Sequence, residues 1–247
     1  MTLLPFATAY VTLIFLLAGA VKGVVGLGLP TVAMGLLSLL MPPAEAAAIL
    51  LLPSFITNVW QLAEGPRLAE LIRRLWPTLL AIFASTSVAS GVIASTKSSV
   101  ASAALGGALL IYAVAGLRNF HLDVAPRTER WAGPTVGVIT GCITGATGTF
   151  VVPAVPYLAG LKLAREELIQ ALGLSFTAST VALGLGLMWH GALEIHSLSI
   201  SAIAIVPALL GMTLGGRLRR RVSPEHFRRW FFIGLALLAV HLIYAAS

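Results

Sequence analysis

Charge is what this chain has least of. Only 10% of its 247 residues are charged, while 58% are hydrophobic; soluble domains run to about 25% charged. No water-soluble core of this length could hide so much apolar chain, so the composition implies a polytopic α-helical membrane protein. Apolar runs are continuous rather than alternating, which argues against a β-barrel. Cysteine is nearly absent too. Cys142 stands alone, which excludes an internal disulfide and a cysteine cluster for metal and leaves it as a small packing residue of a helix. The N-terminus has no basic region ahead of its first apolar run. Ala18-Gly19-Ala20 resembles a cleavage site, yet residues 3–21 read as a retained helix rather than a signal peptide.

What charge there is falls in patches. The formal net charge of +7 would suit nucleic acid, but its distribution does not: six of the 16 Lys/Arg residues lie between Arg217 and Arg229. Arg67, Arg73 and Arg74 lie in a second loop, 64–74, and Arg118, Arg127 and Arg130 in a third, 118–131. Such loops stay in the cytoplasm, which predicts a multi-pass protein of the bacterial inner membrane rather than a nucleic-acid partner. Lys162 and Arg165 then also lie inside. The loop 190–196 carries no Lys or Arg and lies outside, as do both termini.

Apolar stretches fall at about 3–21, 24–41, 44–63, 75–96, 98–117, 132–148, 149–161, 168–189, 197–216 and 230–246. They divide the chain into a first transmembrane repeat (1–117), a cytoplasmic linker (118–131) and a second repeat (132–247). Five segments per half is an odd number, so the two repeats are expected to be inverted, with glycine-broken helices near the midplane. Four segments per half in parallel repeats is the alternative. Glu45 and Glu166-Glu167, and Ser54-Phe55 and Ser175-Phe176, recur in the same order in the two halves.

Lys22 is the only basic residue in the first 66 positions, and it lies in a glycine frame, Gly19-x2-Lys22-Gly23-x2-Gly26-x-Gly28-x-Pro30. The frame returns as Gly141-x2-Thr144-Gly145-x-Thr147-Gly148-Thr149, ending at Pro153. Small residues at this spacing let helices approach closely in lipid, the natural reading of Gly19 and Gly141 and of Gly106, Gly107, Gly184, Gly186, Gly211 and Gly215. Dense glycine ended by proline also breaks a helix. A broken helix presents unpaired N–H groups at the positive end of its second piece, where an anion is stabilised. The candidate substrate-binding set from the two breaks is Lys22, Gly23, Gly26 and Gly28 with Thr144, Gly145, Thr147, Gly148 and Thr149.

Asn58 and Gln61 share one face of the third segment, and Ser175 lies on its counterpart. They read equally as interhelical glue and as site lining. Thr57, Gln170, Thr177, Ser179 and Thr180 accompany them. His190, Glu194 and His196 form no recognisable metal motif and read as a solvated loop. Neither glycine frame fits a nucleotide loop. No cofactor, metal or catalytic residue is implied.

The first-half frame, followed by Leu52-Pro53-Ser54-Phe55-x2-Asn58, resembles the sulfite exporter TauE/SafE family of membrane permeases. Gly145-Ala-Thr147-Gly148 with Pro153 is similar to that family's second-half motif, although Thr144 stands opposite Lys22. The resemblance spans the whole chain. It implies a permease for small anions such as sulfite, organosulfonates or related organic anions, often moved outward. The partners implied are a small anion and the bilayer, and a homodimer is permitted. Export is expected by alternating access and is favoured by an inside-negative potential, at about 2.3 kcal/mol per charge per 100 mV. The rival readings are ion-coupled anion uptake, a membrane-embedded enzyme and a structural membrane protein.

Overall fold

The computed structural model describes residues 3–219 and 221–246, and ten α-helices account for nearly all of them: α1 (Leu3–Val25), α2 (Leu29–Leu37), α3 (Pro43–Ala63), α4 (Leu68–Ser95), α5 (Ser98–Leu117), α6 (Pro126–Thr147), α7 (Ala154–Gly160), α8 (Arg165–Trp189), α9 (Ile195–Leu218) and α10 (Pro224–Ala246). Seven of them (α1, α3, α4, α5, α8, α9 and α10) are long and apolar enough to cross a membrane. α6 has 22 residues, but it opens with Arg127, Glu129 and Arg130, so its apolar part is shorter.

The second apolar stretch is not one continuous helix. α1 runs on to Val25, the chain breaks over Gly26–Gly28, and α2 has only 9 residues. Gly26 (φ 84°) and Gly28 (φ 109°) occupy left-handed backbone that residues with a Cβ seldom adopt. Pro30 then sits in the first turn of α2, where its missing N–H costs nothing. The second half breaks in the same way. Gly148 (φ 72°) ends α6, and α7 is a 7-residue helix. Each half thus has the order long, short, long, long, long.

The packing follows that order. α1 lies on α9 and α6 on α4; α3 lies on α9 and α8 on α4; α3 lies on α8 and α5 on α10. Exchanging α1–α5 with α6–α10 turns each of these pairs into another of them or into itself.

The tightest crossings depend on glycine. A Cβ at Gly19 would lie 2.2 Å from the Ala208 carbonyl oxygen, and one at Gly23 would lie 2.2 Å from that of Met212. Gly211 and Gly215 on α9 press in return on the carbonyls of Leu16 and Ala20. Gly141 and Gly145 meet the α4 backbone at Ile82 and Ala89. Two helix pairs therefore approach backbone to backbone, the geometry that substitutes for hydrophobic drive inside a bilayer. Gly106 packs on Ala239 and Gly186 on Ser90, whereas a Cβ at Gly107 would meet nothing within 4 Å. Gly107 is thus not a packing glycine. Cys142 is exposed on α6, not packed.

Several basic loops gather at one end of the bundle. Arg67 pairs with Glu167 at 3.2 Å, and Arg74 grips Glu129 through two hydrogen bonds of 2.6 and 2.8 Å. Lys162 lies 3.6 Å from Asp123, and Arg228 donates to Asn119. Arg73, Arg74, Arg127 and Arg130 belong to the opening turns of α4 and α6 rather than to loops, so the connection between halves shortens to 118–125.

Gly19→Ala is expected to destabilise the fold by about 2 kcal/mol or more, because its methyl would meet a backbone carbonyl that cannot retreat. Gly107→Ala is expected to be neutral or to stabilise by about 0.5–1 kcal/mol, the ordinary gain for a mid-helix glycine. Thermal unfolding of the two variants in detergent checks both signs.

Candidate functional site

α1 ends where its backbone carbonyls lose their partners, and Lys22 lies in that last turn, where a cation meets the negative end of the helix dipole. Its side chain turns inward to α3. The ammonium donates to Thr57 Oγ1 at 3.1 Å and to Asn58 Oδ1. Lys22 is 3% exposed, and Thr57 and Asn58 are fully buried. Among the described residues no carboxylate forms an ion pair with it. A charge taken out of water without a counterion costs several kcal/mol, and two neutral oxygens offset only part of that.

α3 holds the acceptors in place. Thr57 Oγ1 donates back to the Pro53 carbonyl at 2.8 Å, and Asn58 Nδ2 donates to Ser54 Oγ at 3.2 Å. Ser54 Oγ lies 3.3 Å from Thr180 Oγ1 on α8. A chain of polar contacts thus runs from α1 through α3 into the second half. One turn beyond Asn58, Gln61 Nε2 donates to the carbonyls of Gly26 (2.9 Å) and Ile169 (2.8 Å). Gln61 therefore ties the first break to α8. Its Oε1 is buried without a partner.

A cleft of about 260 Å³ reaches this group. Lys22, Gly23, Gly26, Gln61 and Ile169 line its floor, and Glu64, Thr213 and Arg219 line its mouth. Burial and the nearby Arg165 push the Arg219 guanidinium below its ordinary pKa, with Glu166 opposing them. Glu64 is engaged by Trp60 Nε1 at 2.6 Å. Two basic side chains, Lys22 and Arg219, and one carboxylate, Glu64, line the cleft. It opens at the basic end of the bundle.

The second-half candidates form a separate cluster. Thr144 Oγ1 donates within hydrogen-bond distance of the carbonyls of Thr140 (2.8 Å) and Thr149 (3.0 Å). Thr147 Oγ1 bonds the Ile143 carbonyl at 2.7 Å and meets Thr149 Oγ1 at 2.8 Å. These hydroxyls brace the break from within, and none of their hydrogen bonds reaches Lys22. Gly148 faces Met34 and Ala47, whereas Gly26 faces Ile169. About four turns of α3 separate Ala47 from Gln61, a rise of about 21 Å. The breaks therefore lie at different heights along α3, with the Lys22 group toward the basic end. Gly23 and Gly145 carry helix crossings, although Gly23 also borders the cleft. Ser175 is buried on α8.

Sequence reading missed Arg219 and Glu64 at the mouth, and also Thr31, Thr86 and Thr140, whose buried hydroxyls have no partner. Arg219 was legible only as one of a basic run. Thr140 had a signal, standing one turn before Thr144 on the same helix face. Gln170, placed at the start of α8, seals the α3 end: its Nε2 donates to the carbonyls of Leu62 and Gly65, and its Oε1 accepts from the Arg67 N–H.

No match to the chain was found among curated proteins or among solved structures. The family described as Sulfite exporter TauE/SafE matches residues 11–242. With both glycine frames and all the residues of the cleft inside that match, the chain belongs to the sulfite exporter TauE/SafE family, whose members are membrane transporters rather than enzymes.

Proposed function

We propose that the protein exports sulfite, or a closely related organosulfonate or small organic anion, through the Lys22 cleft by alternating access. The observation that carries this reading is the buried ammonium held by neutral oxygens alone. An anion entering the cleft supplies a counter-charge, so the binding energy derives from the desolvation penalty of the buried ammonium. Thr57 and Asn58 hold the Lys22 ammonium, Gln61 lines the cleft beside it, and Arg219 draws anions toward it.

The basic end of the bundle is taken as cytoplasmic, since short Lys/Arg-rich loops are retained there. The two five-helix halves are then inserted upside down relative to each other, with both termini outside, in the inner membrane of a bacterium. The matched packing of α1 on α9 and α6 on α4 supports a duplicated pair, and the reversal follows from five segments per half. The cleft then faces the cytoplasm, where an exporter must load. The second break, with Thr144, Thr147 and Thr149, borders the exit. Release is driven by the membrane potential, with no coupled ion.

Lys22→Met is expected to lower sulfite efflux from proteoliposomes at least a hundredfold while leaving the melting temperature unchanged or higher, since it removes a buried charge and keeps the bulk. A fall in melting temperature with normal residual flux in the folded fraction would mean a structural lysine instead. Asn58→Asp places a carboxylate where Lys22 already donates. The fold is expected to hold, while anion affinity falls at least tenfold, as read by calorimetry on the purified variant. An inside-negative potential of 100 mV, imposed without a pH or sodium gradient, should drive a univalent anion outward to a concentration ratio of about 50. Accumulation inside under the same conditions would reverse the assigned direction.

A further inference from the structure

A larger cavity, of about 470 Å³, lies at the same end of the bundle but on the α5–α10 side. Its walls are apolar: Leu27 from the first break, Val155 from α7, Leu168 and Leu172 from α8, and Phe232 from α10. Tyr112 of α5 also lines it. The Tyr112 ring packs edge-on against Phe232 at 5.2 Å, the residue is 2% exposed, and its hydroxyl has no partner. A buried phenol hydroxyl without an acceptor is unfavourable, so a ligand oxygen would be favoured there.

The mouth has the opposite character. Gly116, Asn119 and Arg228 border this cavity and also a second one of about 480 Å³ lined by Leu117, Glu225 and Arg229. The apolar chamber therefore continues into a polar vestibule with two arginines and one glutamate. Exposed Phe120 and Leu117 flank it. Tyr112 lies one helical turn deeper than Gly116, about 5.4 Å.

We propose that this cavity is a binding site for an anionic phospholipid of the leaflet that meets the basic end. The phosphate sits between Arg228 and Arg229. An ester carbonyl one step below accepts the Tyr112 hydroxyl, and one acyl chain fills the chamber against Phe232, Leu168 and Leu172. Basic pockets between transmembrane helices take lipid headgroups on this physical basis. A free anion would leave the chamber empty, and a zwitterionic lipid would set its cation against the two arginines. Because Val25 and Leu27 form part of the wall, the bound chain also props the first break from the side away from Lys22.

Purified full-length protein in a neutral detergent is titrated with dioleoylphosphatidylglycerol, dioleoylphosphatidylcholine or glycerol 3-phosphate, and thermal unfolding is followed. The phosphatidylglycerol alone is expected to raise the melting temperature in a saturable way. Tyr112→Phe keeps the ring and removes the hydroxyl; Arg228→Gln removes the charge. Each should weaken the apparent phosphatidylglycerol affinity at least tenfold. Equal stabilisation by phosphatidylcholine, a full effect from glycerol 3-phosphate, or unaltered affinity in both variants would overturn the assignment. None of these readouts involves transport, so they stand apart from the Lys22 proposal.

Discussion

A single ammonium group without a counter-charge organises this protein. Lys22 sits at the end of α1, is shielded from water, and donates to two oxygens that bear no charge. Natural cores avoid this arrangement, because a lone buried charge costs far more than a neutral residue of the same size. The surrounding structure has to hold that penalty in place. Thr57 and Asn58 are fixed by α3's own backbone and by Ser54, and Gln61 anchors the loop that ends α1.

The glycines make that placement possible. Gly19 and Gly23 let α1 lie directly on the backbone of α9, so the last turn of α1 ends deep enough for Lys22 to meet α3. The break that follows then turns the chain into the short helix α2. Positive φ at Gly26 and Gly28 supplies that turn, and the Gly26 carbonyl is met by Gln61 instead of being left unpaired. Close packing and site building are thus two uses of one frame, divided by position: the earlier glycines set the helix crossing and the later ones set the break.

Much of this could be read from the sequence. The glycine frames, the isolated lysine and the ten segments were visible because each breaks a strong local rule: glycine in apolar helix, cation in lipid, charge confined to short stretches. Less visible was anything decided by distance between elements. The stretch 24–41 looked like one continuous helix, since hydropathy does not register a turn made by φ. Thr144, Thr147 and Thr149 looked like substrate hydroxyls, but a threonine near a helix end first satisfies the nearest carbonyl, and these three bond one another and their own backbone. Gln61 could not be told from interhelical glue by spacing; in the fold its amide nitrogen joins helices while its oxygen remains unpaired.

The different heights of the two breaks bear on mechanism. Had both broken ends met at one depth, one compact site would hold an anion between two dipoles and release would require separating them. With Gly26 beside Ile169 and Gly148 beside Ala47, an anion held at Lys22, as proposed, would lie near one end of the bundle with about 20 Å of α3 still ahead of it. Buried hydroxyls of Ser54, Thr57, Ser175, Ser179 and Thr180 mark that length, but the space between α3 and α8 is filled by their own contacts. On the proposed reading, passage would need the α3–α8 interface to loosen. The hydrogen bonds that would have to give are few and neutral, Gln61 to Ile169, Ser54 to Thr180 and the caps made by Gln170, beside the one ion pair of Arg67 with Glu167. Neutral hydrogen bonds each contribute about 1 kcal/mol net, a scale at which a bound anion that neutralises Lys22 can shift the balance between closed and open arrangements.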